Sequence, residues 1–197
     1  MTLRVLGVDP GLTRCGYGVI DADRAPKLVR VGVVRTPADL EHGQRLVRIL
    51  TGLREVIADT APDAIALERV FANNQRNTVM GVAQVSGLVI HEAASRGMPL
   101  ELFTPSEVKS AITGYGGAEK AQVGEMVRRI LRLTAVPKPA DAADALALAI
   151  AASWRVARGI PSGSARAVAP AGAGVTGALT PAQQAWLAAE KSTRKQF

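Results

Sequence analysis

Four carboxylates are spaced so that one α/β sheet could gather them at a single edge: Asp9, Glu68, Asp141 and Asp144. Asp9 ends the apolar run Val5-Leu6-Gly7-Val8, and Pro10-Gly11 turns the chain away directly after it. That is the pattern of a fully buried central strand and its exit. Glu68 ends a second run of this kind, Asp63-Ala64-Ile65-Ala66-Leu67. Asp141 and Asp144 stand at i and i+3, so a helix would project both from one face. Taken singly, each has an ordinary structural explanation: Asp before Pro-Gly bonds its own turn, and Asp at a helix N-terminus caps free amides. Brought together, the four repel one another and call for cations. Oxygen ligands with no Cys or His beside them select Mg²⁺ or Mn²⁺ over Zn²⁺. Two such ions about 3.5–4 Å apart would clamp the attacking and leaving oxygens of a phosphodiester displacement. In a chain of net charge +7, this chemistry points to a nuclease.

The elements that must position these acids are legible as periodicities. After the first strand, Gly16–Ile20 and Lys27–Arg35 read as two more, joined by a hairpin loop over residues 21–26. Leu46, Ile49, Leu50, Leu53, Val56 and Ile57 recur at helical steps between Asp39 and Thr60, and Pro62 closes that helix. The fourth strand, Asp63–Glu68, would end beside Asp9 if it runs parallel to the first. A helix over Thr78–Arg96 follows, apolar nearly all round, with Gly97 as its C-cap. Its small residues Gly81, Ala83, Ser86 and Gly87 would admit another backbone, and we expect a partner chain to cover it. Leu100–Phe103 reads as a fifth strand, Thr104-Pro105-Ser106-Glu107 as a capped helix start, and Ala118–Leu133 as a further helix after Gly114-Tyr115-Gly116-Gly117. The last helix begins at Asp141, where Ala142, Ala143 and Ala145 would leave both carboxylates accessible. The expected fold class is α/β: a mixed five-stranded sheet with helices on both faces.

Hydrophobic residues at 48% and charged residues at 21% fit a globular protein. The single cysteine, Cys15, excludes an intramolecular disulfide and reads as packing. With no apolar run of membrane-spanning length and no leader before the first strand, the expectation is a cytoplasmic protein without a membrane partner. The domain is expected over residues 1–158. From Gly159 to Phe197 the chain turns to Gly, Ala, Pro and Ser, with Arg166, Lys191, Arg194 and Lys195 against Glu190 alone, and reads as a disordered basic tail.

Val8-Asp9-Pro10-Gly11 with Gly16-Tyr17-Gly18, Leu67-Glu68-Arg69-Val70-Phe71, Gly117-Ala118-Glu119-Lys120 and Asp141-Ala142-Ala143-Asp144-Ala145-Leu146 resemble the RuvC-type Holliday junction resolvases. The resemblance runs in order from about Leu3 to Ile150. It implies a ribonuclease H-like fold, a homodimer, and paired nicking of four-way DNA junctions in recombination and repair. It also implies dependence on Mg²⁺, two ions per site with Mn²⁺ as a substitute, and cooperation with the branch-migration helicase of the same system. By position it makes Asp9, Glu68, Asp141 and Asp144 the catalytic metal ligands, Phe71 the aromatic that stacks at the opened junction, and Lys109 and Lys120 the basic residues near the cut strand. One departure stands out: relatives often carry His after the Asp pair, where this chain has Ala152 and Trp154.

The residues themselves agree on the ancillary positions. Phe71 follows Glu68 on a polar loop, and base–aromatic stacking is worth about 1–3 kcal/mol. Lys120 lies near a helix N-terminus, a natural phosphate site. Arg69 and Arg76 are candidates for phosphate contacts. His42 and His91 are assigned no role. Three other readings compete. Asp9-Pro10-Gly11-Leu12-Thr13 matches the phosphate turn of actin- and sugar-kinase-like ATPases, but this chain is too short for their duplicated domain. An RNA-processing nuclease of the same fold and a non-catalytic DNA-binding module are the others.

Overall fold

A computed structural model describes residues 2–69 and 76–157, with side chains for 2–69 and 79–155. Phe71, the side chain of Arg76 and the 159–197 segment lie outside the described residues. The chain forms β1 (Leu3–Asp9), β2 (Arg14–Ala22), β3 (Lys27–Arg35), α1 (His42–Thr60), β4 (Ala64–Glu68), α2 (Arg76–Ser95), β5 (Leu100–Phe103), α3 (Pro105–Thr113), α4 (Lys120–Ile130) and α5 (Ala140–Ala157). The sheet order is β3-β2-β1-β4-β5. The first three strands form an antiparallel meander, and β4 and β5 are parallel to β1.

Side chains of β1 alternate between two cores. Val5 faces one with Ile20, Val127, Leu146 and Ile150, so α5, α3 and α4 cover that side. Leu6 and Val8 face the other with Ile49, Leu53, Val85 and Val89, covered by α1 and α2. Leu146, Leu148 and Ile150 are fully buried, each contributing about 1.5–3 kcal/mol relative to exposure. That burial pins α5 to the sheet.

Local chemistry sets the element ends, and several fall away from the expected positions. Helix α1 starts at His42 rather than Asp39, because the Glu41 carboxylate accepts from the Gln44 amide at 3.1 Å and caps the helix there. It ends as expected, with Ala61 left-handed at φ 44° before Pro62. Helix α4 is shorter than residues 118–133: Gln122 accepts from the Glu119 amide at 2.8 Å at its start, and Arg132 turns left-handed at φ 54° past its end. Strand β2 begins two residues before Gly16. Thr104 and Glu107 bond each other's backbone amides, so α3 opens with the capping box the sequence suggests.

The alanines of α5 serve differently from the expectation. Ala142, Ala143 and Ala145 are buried against the sheet; they let the helix approach closely instead of clearing space around the acids. The strands reciprocate. A Cβ on Gly7 would strike the Ala145 carbonyl oxygen, and one on Gly16 would strike the carbonyl of Asp141. Backbone therefore lies on backbone where α5 crosses β1 and β2. On α2, Gly81 packs against Leu12 and Ser86 is buried, so only Ala83 and Gly87 of the four small residues face outward.

Candidate active site

Parallel pairing sets Val8 opposite Leu67, so β1 and β4 end together and deliver Asp9 and Glu68 side by side. Asp9 is also in register with Gly16, whose missing side chain admits the first turn of α5. That turn carries Asp141, and Asp144 follows one turn on. The four expected acids thus meet at the C-terminal edge of the sheet, where open α/β folds keep their crevices.

Their mutual field is visible in protonation. Burial pushes the Asp9 carboxyl up to about 7, with repulsion from Glu68, Asp144 and Asp141 adding to it and Lys120 opposing it. Glu68 is also raised, mainly by burial and then by Asp144. Lys120 Nζ donates to Asp144 Oδ2 at 2.9 Å, and this bond holds its ammonium above the usual lysine range. Arg14 Nε reaches Asp141 Oδ2 at 3.0 Å. As these side chains are oriented, no three His, Cys, Asp or Glu groups among the described residues stand close enough to share a metal ion. Two of the acids are engaged by Arg14 and Lys120. The donor set nevertheless fits a hard divalent cation, since it is all carboxylate oxygen. Asp9, pushed up to about 7 first by burial and then by its neighbours' charges, is a group whose ionised form a bound cation would favour.

Lys109 is half-buried on α3 and makes no ion pair among the described residues. Arg69 is exposed just past β4, its amide donating to the Phe103 carbonyl at 2.7 Å. Ala152 is buried and Trp154 packs at the margin of the α5 core, which accounts for apolar residues there. His42 bonds Gln84 at 2.7 Å, away from the acids. Cys15 is buried, its thiol pushed up to about 12 by desolvation. Sequence reasoning missed Arg14. The signal available was its place five residues after Asp9, on the strand that must pass beneath the Asp pair.

A mixed sheet of this order, with acids at the ends of its first and fourth strands and on a following helix, defines a ribonuclease H-like nuclease. Three comparisons carry this to a family. A sequence profile described as Crossover junction endodeoxyribonuclease RuvC matches residues 5–152. The Crossover junction endodeoxyribonuclease RuvC of Leifsonia xyli subsp. xyli is 56% identical over 198 residues, covering 99% of this chain and 95% of its own. The structure of Thermus thermophilus RuvC in complex with Holliday junction substrate superposes with a TM-score of 0.76 at 34% identity, covering 80% of this chain and 96% of that one. The yeast mitochondrial Holliday junction resolvase Ydc2 shares the fold, with a TM-score of 0.57 at 16% identity over 79% of this chain and 81% of that one. The chain belongs to the RuvC family of crossover junction endodeoxyribonucleases. None of the described helices is long and apolar enough to cross a membrane.

Proposed function

We propose that this protein resolves four-way DNA junctions by hydrolysing one phosphodiester in each of two opposed strands, with Asp9, Glu68, Asp141 and Asp144 as its metal ligands. The observation that carries the reading is the meeting of four acids at one sheet edge of a cationic chain of this family. Asp9, Glu68, Asp141 and Asp144 would hold divalent cations there, Mg²⁺ first and Mn²⁺ as a substitute, which would activate water and neutralise the departing 3′ oxygen. Asp9 and Glu68, fixed on strands, form the rigid half of the ligand set. Asp141 and Asp144 form an exchangeable half, now engaged by Arg14 and Lys120. Lys120 and Lys109 then serve the phosphates of the cut strand, with Arg69 and Arg76 in support. The deciding experiment incubates the purified protein with a synthetic four-way junction, a linear duplex and an RNA–DNA hybrid, each with and without Mg²⁺. Junction-selective nicking that requires Mg²⁺ supports the reading, and preferential hybrid cleavage would replace it with RNA processing.

Phe71 stands three residues after Glu68 in the sequence, and the family resemblance gives it the role of stacking on an unpaired base at the junction centre. Losing a stack worth about 1–3 kcal/mol predicts that Phe71→Ala slows cleavage by roughly 5–150-fold. Phosphate contacts supply most of the affinity, so binding falls less. A variant that cleaves normally once bound, yet binds poorly, would contradict the assignment. Deleting residues 159–197 is expected to leave Mg²⁺-dependent cleavage intact and at most to weaken binding by removing cations. A folded truncation without activity would place the domain boundary elsewhere. The protein acts as a homodimer, since two opposed strands call for two sites, and its family context makes a branch-migration helicase complex its working partner.

A further inference from the structure

A cationic depression with substantial apolar surface adjoins the acidic edge. Its volume of about 730 Å³ falls within the ~300–1,000 Å³ of sites that enclose small ligands. Asp144 and Lys120 both line it and so join it to the carboxylate cluster; Arg35 and Lys138 add two cations, and Val136 and Pro137 supply apolar surface. Arg35 is directly opposite Arg14 in the β2–β3 ladder, so their side chains leave the same face of the sheet, the face on which Arg14 meets Asp141 of α5. Two like charges directly opposed destabilise a sheet. Asp141 relieves the charge of Arg14, but neither Arg35 nor Lys138 has an ion pair among the described residues. The free protein therefore carries an uncompensated pair of cations beside its acids, an arrangement that a polyanion would relieve.

We propose that this depression seats one nucleotide of the cut strand, the one adjoining the scissile phosphate. Its phosphate lies on Arg35 and Lys138, and its sugar and the face of its base lie against Val136 and Pro137. A cationic track alone would serve a paired duplex. The apolar surface is what distinguishes this place, because a nucleotide leaving its stack has an apolar face to bury. The inference rests on the acidic edge being the cleavage site, and it names the substrate segment that edge would hold.

Lys138 is exposed and precedes α5, so Lys138→Cys should fold. Cys15 is buried, which leaves the new thiol as the reactive one. The full-length Lys138→Cys/Asp9→Asn protein is mixed with junctions that carry a disulfide-activated tether on successive phosphates through the cut site. Trapping is expected to peak at the phosphate next to the scissile one, and even trapping along the strand, or a peak on another arm, would overturn the seat. Separately, Arg35→Ala and Lys138→Ala should each lower the slope of log Kd against log salt by about 1; unchanged slopes would remove both residues from the phosphate. If Asp9→Asn still nicks the junction, the cleavage-site assignment fails. If it is inert while trapping is even, the seat alone fails.

Discussion

Asp9→Asn is expected to stop junction cleavage while leaving the junction bound. The amide keeps the shape of the side chain but loses the negative oxygen that would hold a cation between β1 and β4. Cation stabilisation of the developing charge is worth several kcal/mol, so the loss is on the order of 10³-fold or more in cleavage rate. Binding should hold or tighten, because one of four charges that repel the DNA phosphates has gone. Gel shift in Ca²⁺ and single-turnover nicking in Mg²⁺ read the two effects separately. Near-normal nicking would remove Asp9 from the site, and the same test applies to Glu68→Gln, Asp141→Asn and Asp144→Asn.

The same substitution carries a second expectation that does not depend on catalysis. The Asp9 carboxyl keeps its proton to about 7 in the folded protein, against 3.8 as its ordinary value. Between those limits the folded state binds a proton that the unfolded chain has released. The metal-free protein therefore loses stability as pH rises from about 4 to about 7, and above that window the cost reaches on the order of 4 kcal/mol. The amide of the variant cannot ionise and escapes this cost. Metal-free Asp9→Asn should melt roughly 10 °C above the parent at pH 8 and show little advantage near pH 4. Added Mg²⁺ should raise the melting point of the parent more than that of the variant. Equal melting points at pH 8 would show that neither burial nor the neighbours' charge holds Asp9 protonated in the folded protein.

Period and punctuation made the acidic edge legible. Apolar runs stopped at Asp9 and Glu68 read as strand ends, and i, i+3 spacing put Asp141 and Asp144 on one helix face. What stayed hidden depends on contacts between elements distant in sequence. The closeness of α5 to the sheet is set by Gly7 and Gly16 meeting backbone at Ala145 and Asp141, and neither glycine announces its partner. The alanines after Asp141 looked like clearance and are contact surface. Arg14 and Arg35 could be recognised as charges, but only strand register reveals that they oppose each other and share a face with Asp141. Helix ends were missed for a local reason: Glu41 and the Glu119–Gln122 pair stop the helices with side-chain caps that apolar periodicity does not register.

Met80→Glu is expected to separate the protein into monomers that no longer make paired cuts. Helix α2 buries Val85, Val89 and Ala93 against α1 and the sheet, yet Met80 remains 65% exposed and Ile90 42%. Ala83 and Gly87 lie between them on the same outward stripe, and a Cβ on Gly87 would meet nothing within 4 Å. Large apolar ends around small central residues suit the close crossing of a second α2. A four-way junction has two equivalent strands to cut, so a two-fold pair of chains matches the symmetry of its substrate. In a two-fold interface each substitution is present twice. Burying a carboxylate without a partner costs several kcal/mol, so the two should raise the dimer Kd by at least about 10³-fold. The new side chain replaces an exposed one, so circular dichroism and the melting point of the monomer should remain close to those of the parent. Sedimentation reports the mass, and a cruciform plasmid separates single nicks from linearisation within one binding event. Dissociated, folded protein that nicks only one strand supports α2 as the interface. A folded monomer that still linearises the plasmid would show that paired incision does not need this face.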